Sequence, residues 1–256
     1  MRLNSFCQNK KIIYKQNPII RGYFLDANNK NTILSEFAFD VLNAVYLTVQ
    51  QNLFAVHPKE FQNNIKIEID IRALQEYLLR KRRDMVDIKN AIEELYQTDI
   101  VLKDFTHPIT GSKYREFHAR IIEAYGYRKE DKNICDLQMN EMFLVNVMRH
   151  PKQDCRIGNF TPIRLYSVSA LRGKHTKRLY EYVESMIDTR KEFSLSLDSL
   201  NKLFGAKYNS LSDLVKIITR TQEQLEEIYN FDFEVFKKDK LISFKISRKN
   251  SNKKYI

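Results

Sequence analysis

The sequence predicts an α+β protein made of two tandem winged helix-turn-helix domains related by internal pseudo-symmetry. Three observations predict it. One order of elements (strand, short helix, turn, longer helix, strand, tip, strand) can be read twice along the 256 residues. Within each copy the apolar period switches between the helical and the strand type. Gly (6) and Pro (5) are scarce, which favours long helices over a multi-turn all-β fold. The apolar share of 43% supplies two cores, expected over residues 1–150 and 160–256. The boundary is placed near 150–162, where His150-Pro151, Gly158 and Thr161-Pro162 cluster chain breakers in a polar stretch.

Residues 34–53 read as a helix, with Phe37, Val41, Leu42, Val45 and Val49 in a broad apolar stripe and Ser35 as N-cap. IKIEI (65–69) alternates apolar and charged residues, the mark of a half-buried strand. Asp70 is expected to cap the short helix IRALQEYLL, and Asp84 to open a third helix with Ile88, Ile92 and Leu95 on one face. IVLK (100–103), the turn-rich tip DFTHPITGSK and REFHARIIEAYGY are read as strand, tip and returning strand. ICDLQM is read as a further strand and EMFLVNVM as a short helix.

In the second half, IRLYSVSALR and KHTKRLYEYVESMI read as helices and FSLSL as a strand. Asp198 is expected to cap the following short helix, and Gly205 to stop it. Ser210 and Asp213 form a Ser-x-x-Asp cap for a long helix over 210–228, with Leu214, Ile218 and Leu225 inward. FDFEVF, the polar turn KKDK and LISFKI close the chain's second copy.

The formal net charge is +11, and its placement is uneven. Residues 1–31 hold six basic side chains against Asp26, and residues 237–256 hold eight against Asp239, so the body between them is balanced. Basic ends on a globular body suit a polyanion, because each cation near a phosphate releases condensed counterions. The three cysteines, Cys7, Cys135 and Cys155, form no C-x-x-C pair; this argues against a disulfide framework or zinc site and fits a reducing, cytoplasmic compartment. No signal-peptide pattern opens the sequence, and no run approaches the ~20 apolar residues of a membrane span.

Enzyme signatures are poor. His57, His107, His118, His150 and His175 form no metal-binding spacing, and no phosphate-cradling Gly-x-x-x-x-Gly-Lys loop is present. No catalytic residue, metal or cofactor is therefore expected. In a helix-turn-helix the second helix enters the major groove and the flanking loops meet phosphates. In the second half the residues placed to read bases are Asn209, Ser212, Lys216, Thr219 and Arg220. Expected backbone contacts are the knot Arg80, Lys81, Arg82 and Arg83, then Lys113, the run with Lys174, Lys177 and Arg178, and the final turn with Lys237, Lys238 and Lys240. The helix from 84 to 97 presents Asp87, Lys89, Asn90 and Glu93, a mixed and weaker reading face.

At LRGKHTKRLYEYVESM, FSLSLDSLNKLFG and LVKIITRTQEQLEEI the sequence resembles the initiator replication protein family of theta-replicating bacterial plasmids. Lys177, Arg178, Leu179, Tyr180 and Glu181 stand in that family's Lys-Arg-Leu-Tyr-Glu pattern, and looser similarity extends over roughly residues 30–248. The resemblance implies binding to directly repeated origin sites (iterons), with two winged-helix domains in successive major grooves. It implies a homodimer, formed mainly through the first domain, that represses its own promoter. It further implies origin opening with a host initiator and a replicative helicase as partners. A winged-helix transcriptional repressor without a replication role is the alternative, and a DNA-nicking enzyme a more distant one.

Overall fold

The computed structural model describes residues 12–52, 66–78, 85–107, 110–140, 160–187, 192–228, 231–238 and 241–248. The first half comprises β1 (Ile12–Gln16), α1 (Asn17–Arg21), β2 (Tyr23–Leu25), β3 (Asn31–Thr32), α2 (Glu36–Asn52), β4 (Lys66–Asp70), α3 (Ile71–Tyr77), α4 (Met85–Tyr96), β5 (Asp99–Thr106), β6 (Lys113–Arg120), β7 (Ile122–Tyr127) and β8 (Ile134–Met139). The second comprises β9 (Phe160–Arg164), α5 (Leu165–Ala170), α6 (Lys174–Ile187), β10 (Glu192–Ser196), α7 (Leu197–Phe204), α8 (Leu211–Ile228), β11 (Phe231–Lys238) and β12 (Leu241–Arg248). The stretch EMFLVNVM and most of the expected boundary lie outside the described residues.

Two three-stranded antiparallel sheets share one topology. In β4-β8-β7 and in β10-β12-β11, the strand that precedes the helix pair lies beside the last strand of the set. Each opening strand alternates as its sequence demands: Ile67 and Ile69 are buried between exposed Glu68 and Asp70, and Phe193 and Leu195 between exposed Glu192 and Ser194. In both copies the strand runs straight into the helix, so a polar side chain at the junction caps it. Asp70 accepts from the Arg72 amide at 2.8 Å. In the second copy the cap is Ser196, whose Oγ accepts from the Ser199 amide at 3.2 Å. The expectation of Asp198 is corrected: it lies inside the first turn and pairs with Lys202 at 3.3 Å.

REFHARIIEAYGY is not one strand. Ile121, fully buried, separates β6 from β7, which belong to different sheets. β6 pairs with β5 in the four-stranded sheet β3-β2-β5-β6, while β7 pairs with β8. The hairpin expected to be the first copy's tip is thus an addition to the repeated plan, and the turn that matches the plan is 128–133. IRLYSVSALR likewise divides, its first residues forming β9 and the remainder α5.

The halves are joined by more than the chain. β1 pairs antiparallel with β9, Ile13 opposite Ile163. Buried side chains of both halves, from Phe24, Val41 and Leu95 to Leu179, Phe204 and Ile218, form one continuous apolar core. Among the described residues no helix is long and apolar enough to cross a membrane.

Candidate nucleic-acid interface

The long helix α8 is the best-defined candidate surface. Ser210 starts it: its Oγ accepts from the Asp213 amide at 3.4 Å and its hydroxyl donates to the Asp213 carboxylate at 2.8 Å. Leu214, Ile218, Thr221 and Leu225 are buried, and the Thr221 hydroxyl lies 3.2 Å from that of Thr176 on α6. Gln224 anchors the far end, accepting from the Arg172 amide at 2.8 Å and donating to its carbonyl at 3.2 Å. The helical period then turns Ser212, Asp213, Lys216, Thr219, Arg220 and Glu223 to solvent, with Asn209 exposed at the entrance. No ion pair among the described residues engages Lys216 or Arg220.

The turn from α7 to α8 is held from below. Gly205 ends α7 in the left-handed region (φ 57°), and its amide reaches the Lys202 carbonyl. Asn201 clasps Tyr208 twice: it accepts from the Tyr208 amide at 2.9 Å and donates to its carbonyl at 3.0 Å. His175, at the start of α6, meets Phe204 edge-on with ring centroids 5.2 Å apart. Burial there holds the His175 imidazole below its ordinary value, helped by the charge of Lys174.

In the first half, α4 buries Ile88, Ala91, Ile92 and Leu95 as expected and exposes Val86 and Asn90. Two residues of its expected reading face are engaged from within. Lys89 sits 4.5 Å over the Tyr127 ring, and Glu93 accepts from the Tyr125 hydroxyl. That bond pushes the Tyr125 phenol up to about 12. Glu94 accepts from the amide of Ser35 and, at 2.6 Å, from its hydroxyl, tying α4 to the start of α2. Outward, α4 is left with a short and nearly neutral face.

The turn between β7 and β8 was not singled out by sequence reasoning. It exposes Arg128, Lys129, Glu130, Asp131 and Lys132, and Arg128 is braced by Glu68 at 2.6 Å and Asp136 at 2.7 Å. Hydrogen bonds to Asp136 and Glu68 hold the Arg128 guanidinium well above its ordinary value. A polar run between two alternating apolar segments was the available signal.

The expected backbone contacts divide. Lys174 is exposed as the first residue of α6, and Lys113 is exposed at the start of β6, on the added hairpin. Lys237 and Lys238 end β11. Arg80, Lys81, Arg82, Arg83 and Lys240 lie outside the described residues. Lys177 and Arg178 are a correction: they are 0% and 1% exposed and face the first half of the chain. The Lys177 ammonium pairs with Asp40 on α2, and the Arg178 guanidinium donates to the Gly22 carbonyl at 2.6 Å and lies 4.9 Å over the Phe24 ring. Cations so enclosed have no phosphate within reach. A second pair joins α6 to β1, Glu181 to Lys15 at 2.6 Å, with side chains 1% and 2% exposed. Burial outweighs the carboxylate and leaves the Lys15 ammonium below its ordinary value.

Among the described residues no group of three or more His, Cys, Asp or Glu is placed to hold a metal ion. Cys135 is buried, and burial pushes its thiol up to about 11.

No protein of curated function matches the chain by sequence. Solved structures of the same fold include the following two. The Pi initiator protein, determined in complex with iteron DNA, superposes with a TM-score of 0.58 at 14% identity, covering 95% of this chain and 99% of that one. Domains 2 and 3 of RctB superpose with a TM-score of 0.51 at 14% identity, covering 85% and 84%. A family model described as initiator replication protein, WH1, matches residues 12–184, about two thirds of the sequence. The chain therefore belongs to the initiator replication protein family.

Proposed function

We propose that the chain is a plasmid replication initiator that binds repeated duplex sites through two winged-helix units. One spans residues 1–150 and the other 160–256, with α4 and α8 as the helices that enter the groove. The observation that carries this reading is α8: an 18-residue helix sealed on one side by Leu214, Ile218 and Leu225, with Lys216, Thr219 and Arg220 unobstructed on the other. The repeated sheet topology supports a pseudo-symmetric pair of such units. Family membership and the likeness to an initiator crystallised with iteron DNA support repeated origin sites as the target. In this reading the protein binds DNA and catalyses no reaction itself; opening of the origin draws in a host initiator and a replicative helicase. A homodimer repressing its own promoter belongs to the same proposal.

Asn209, Ser212, Lys216, Thr219 and Arg220 are the proposed base-reading set, because an Arg or Lys can donate twice to guanine and an Asn can bridge adenine. Lys113, Lys174, Lys237 and Lys238, with Arg128, Lys129 and Lys132 of the β7–β8 turn, are proposed to meet phosphates. The test is Arg220→Ala measured by fluorescence anisotropy on a duplex carrying the repeat found beside the gene and on a scrambled duplex. A base reader loses about 1–3 kcal/mol on the repeat and little on the scrambled DNA. Equal loss on both would reduce Arg220 to a phosphate contact and remove the support for base reading by α8.

A further inference from the structure

We infer that the buried ionic seam between the two halves, Lys15–Glu181 and Asp40–Lys177, sets the spacing of the DNA site this protein accepts. The inference rests on the proposal that α4 and α8 both enter grooves. Lys177, Arg178 and Glu181 occupy one turn of α6 and face the first half of the chain. Lys177 meets Asp40 on α2, and Glu181 meets Lys15 on β1, whose ammonium also stands 5.1 Å over the Phe39 ring and 4.9 Å over the Tyr46 ring of α2. Arg178, between them, reaches the Gly22 carbonyl.

Apolar contact is non-directional, so a purely apolar seam tolerates small slides and rotations. A buried charge does not, because any movement that separates it from its partner leaves it uncompensated. Two opposite-sense pairs, one turn apart on a single helix, are both satisfied in only one placement of α6 against α2 and β1. α8 packs on α6 through Thr176 and Thr221, and α4 is tied to the start of α2 through Glu94 and Ser35. The seam therefore relays a fixed separation and twist from α4 to α8. On B-DNA one inserted base pair moves the second half of a site by about 3.4 Å and about 34°. A rigid pair of helices rejects such a change; a loose pair accommodates it.

The positioning residues are tested by replacing the charges with apolar side chains of similar size, Asp40→Leu with Lys177→Met and Lys15→Met with Glu181→Leu; the first replacement need not cost stability, whereas the second also takes the Glu181 charge away from buried Arg178. Wild-type protein selects its site from a random-sequence duplex pool, and hydroxyl-radical footprinting locates the two protected segments. Kd is then measured on derivatives with one to five base pairs added or removed between them. Wild type is expected to lose at least about tenfold for a single inserted base pair, and the fourfold variant less than about threefold, with weaker binding at the best spacing because fewer molecules hold the competent arrangement. Cooperative melting by circular dichroism establishes that the variant is folded; if it is not, the Asp40→Leu/Lys177→Met protein carries the same comparison. A folded variant that keeps the wild-type spacing profile would overturn the inference. A wild-type protein that protects only one segment would overturn the two-helix reading itself, a separate result.

Discussion

Replacing Glu181 by leucine removes the carboxylate that compensates two buried cations of the seam, Lys15 and Arg178. Lys15 is left with Arg178 nearby, no carboxylate at 2.6 Å and almost no solvent. The least costly response is loss of its proton. At pH 7, roughly 3.5 pH units below the ordinary value of 10.5, deprotonation costs about 4.8 kcal/mol at 1.36 kcal/mol per unit. That agrees with the ~3–5 kcal/mol typical of breaking a buried pair from one side. The pH dependence has a definite sign. The folded variant lacks a proton that the unfolded chain still carries, so its stability rises with pH up to about 10.5. Because wild-type Lys15 is itself held below 10.5, the Lys15 part of the deficit relative to wild type is at most about 4.8 kcal/mol at pH 7 and at most about 2 kcal/mol at pH 9. Urea denaturation followed by far-ultraviolet circular dichroism at pH 7, 8 and 9 measures it. A deficit under about 1 kcal/mol, or one independent of pH, would refute the reasoning. Adding Lys15→Met should restore the Lys15 part of the loss and leave the part owed to buried Arg178, which also loses the Glu181 charge.

Three further outcomes are expected. Gly205→Ala should destabilise the protein by more than the ~1–2 kcal/mol of a left-handed alanine, because its Cβ would lie 1.9 Å from the Thr32 carbonyl carbon; thermal melting checks it, and a change within 0.5 kcal/mol would contradict the close approach. Cys135, buried and with its thiol raised to about 11, should resist a maleimide reagent at pH 8 in native buffer and react in denaturant, as read by peptide mass mapping; rapid native labelling at Cys135 would count against its placement. His175 is held below its ordinary 6.5, so the unfolded chain takes up the proton first as pH falls. The stability it contributes is complete above about pH 6.5 and declines below it, and His175→Phe should remove that part of the decline in denaturant melts between pH 7.5 and 5.

Most elements were legible because their signals are local. The alternation of IKIEI and FSLSL, the stripe of Leu214, Ile218 and Leu225, and the left-handed stop at Gly205 all depend on neighbours within a turn or a strand. What failed depends on distant partners. Lys177 and Arg178 look like a cationic surface track, since nothing near them in sequence announces Asp40 or the Gly22 carbonyl, 137 and 156 residues away. The β5–β6 and β7–β8 hairpins carry similar patterns, so only strand pairing reveals which of them completes the β4 sheet. Asp198 was mistaken for a cap because the absence of any linker between β10 and α7 moves the cap two residues back, to Ser196. In the candidate interface, the exposure of Asn209, Ser212, Lys216, Thr219 and Arg220 follows directly from the apolar stripe opposite them. The engagement of Lys89 by Tyr127 and of Glu93 by Tyr125 does not, because both tyrosines arrive from β7.

Hydroxyl-radical footprinting of the wild-type protein on the DNA flanking its gene tests most directly whether two helices read one duplex. Two protected segments on the same face, separated by about one or two helical turns and repeated along an array, are the expected pattern. A single short protected segment, or uniform protection that vanishes with modest salt, would contradict it.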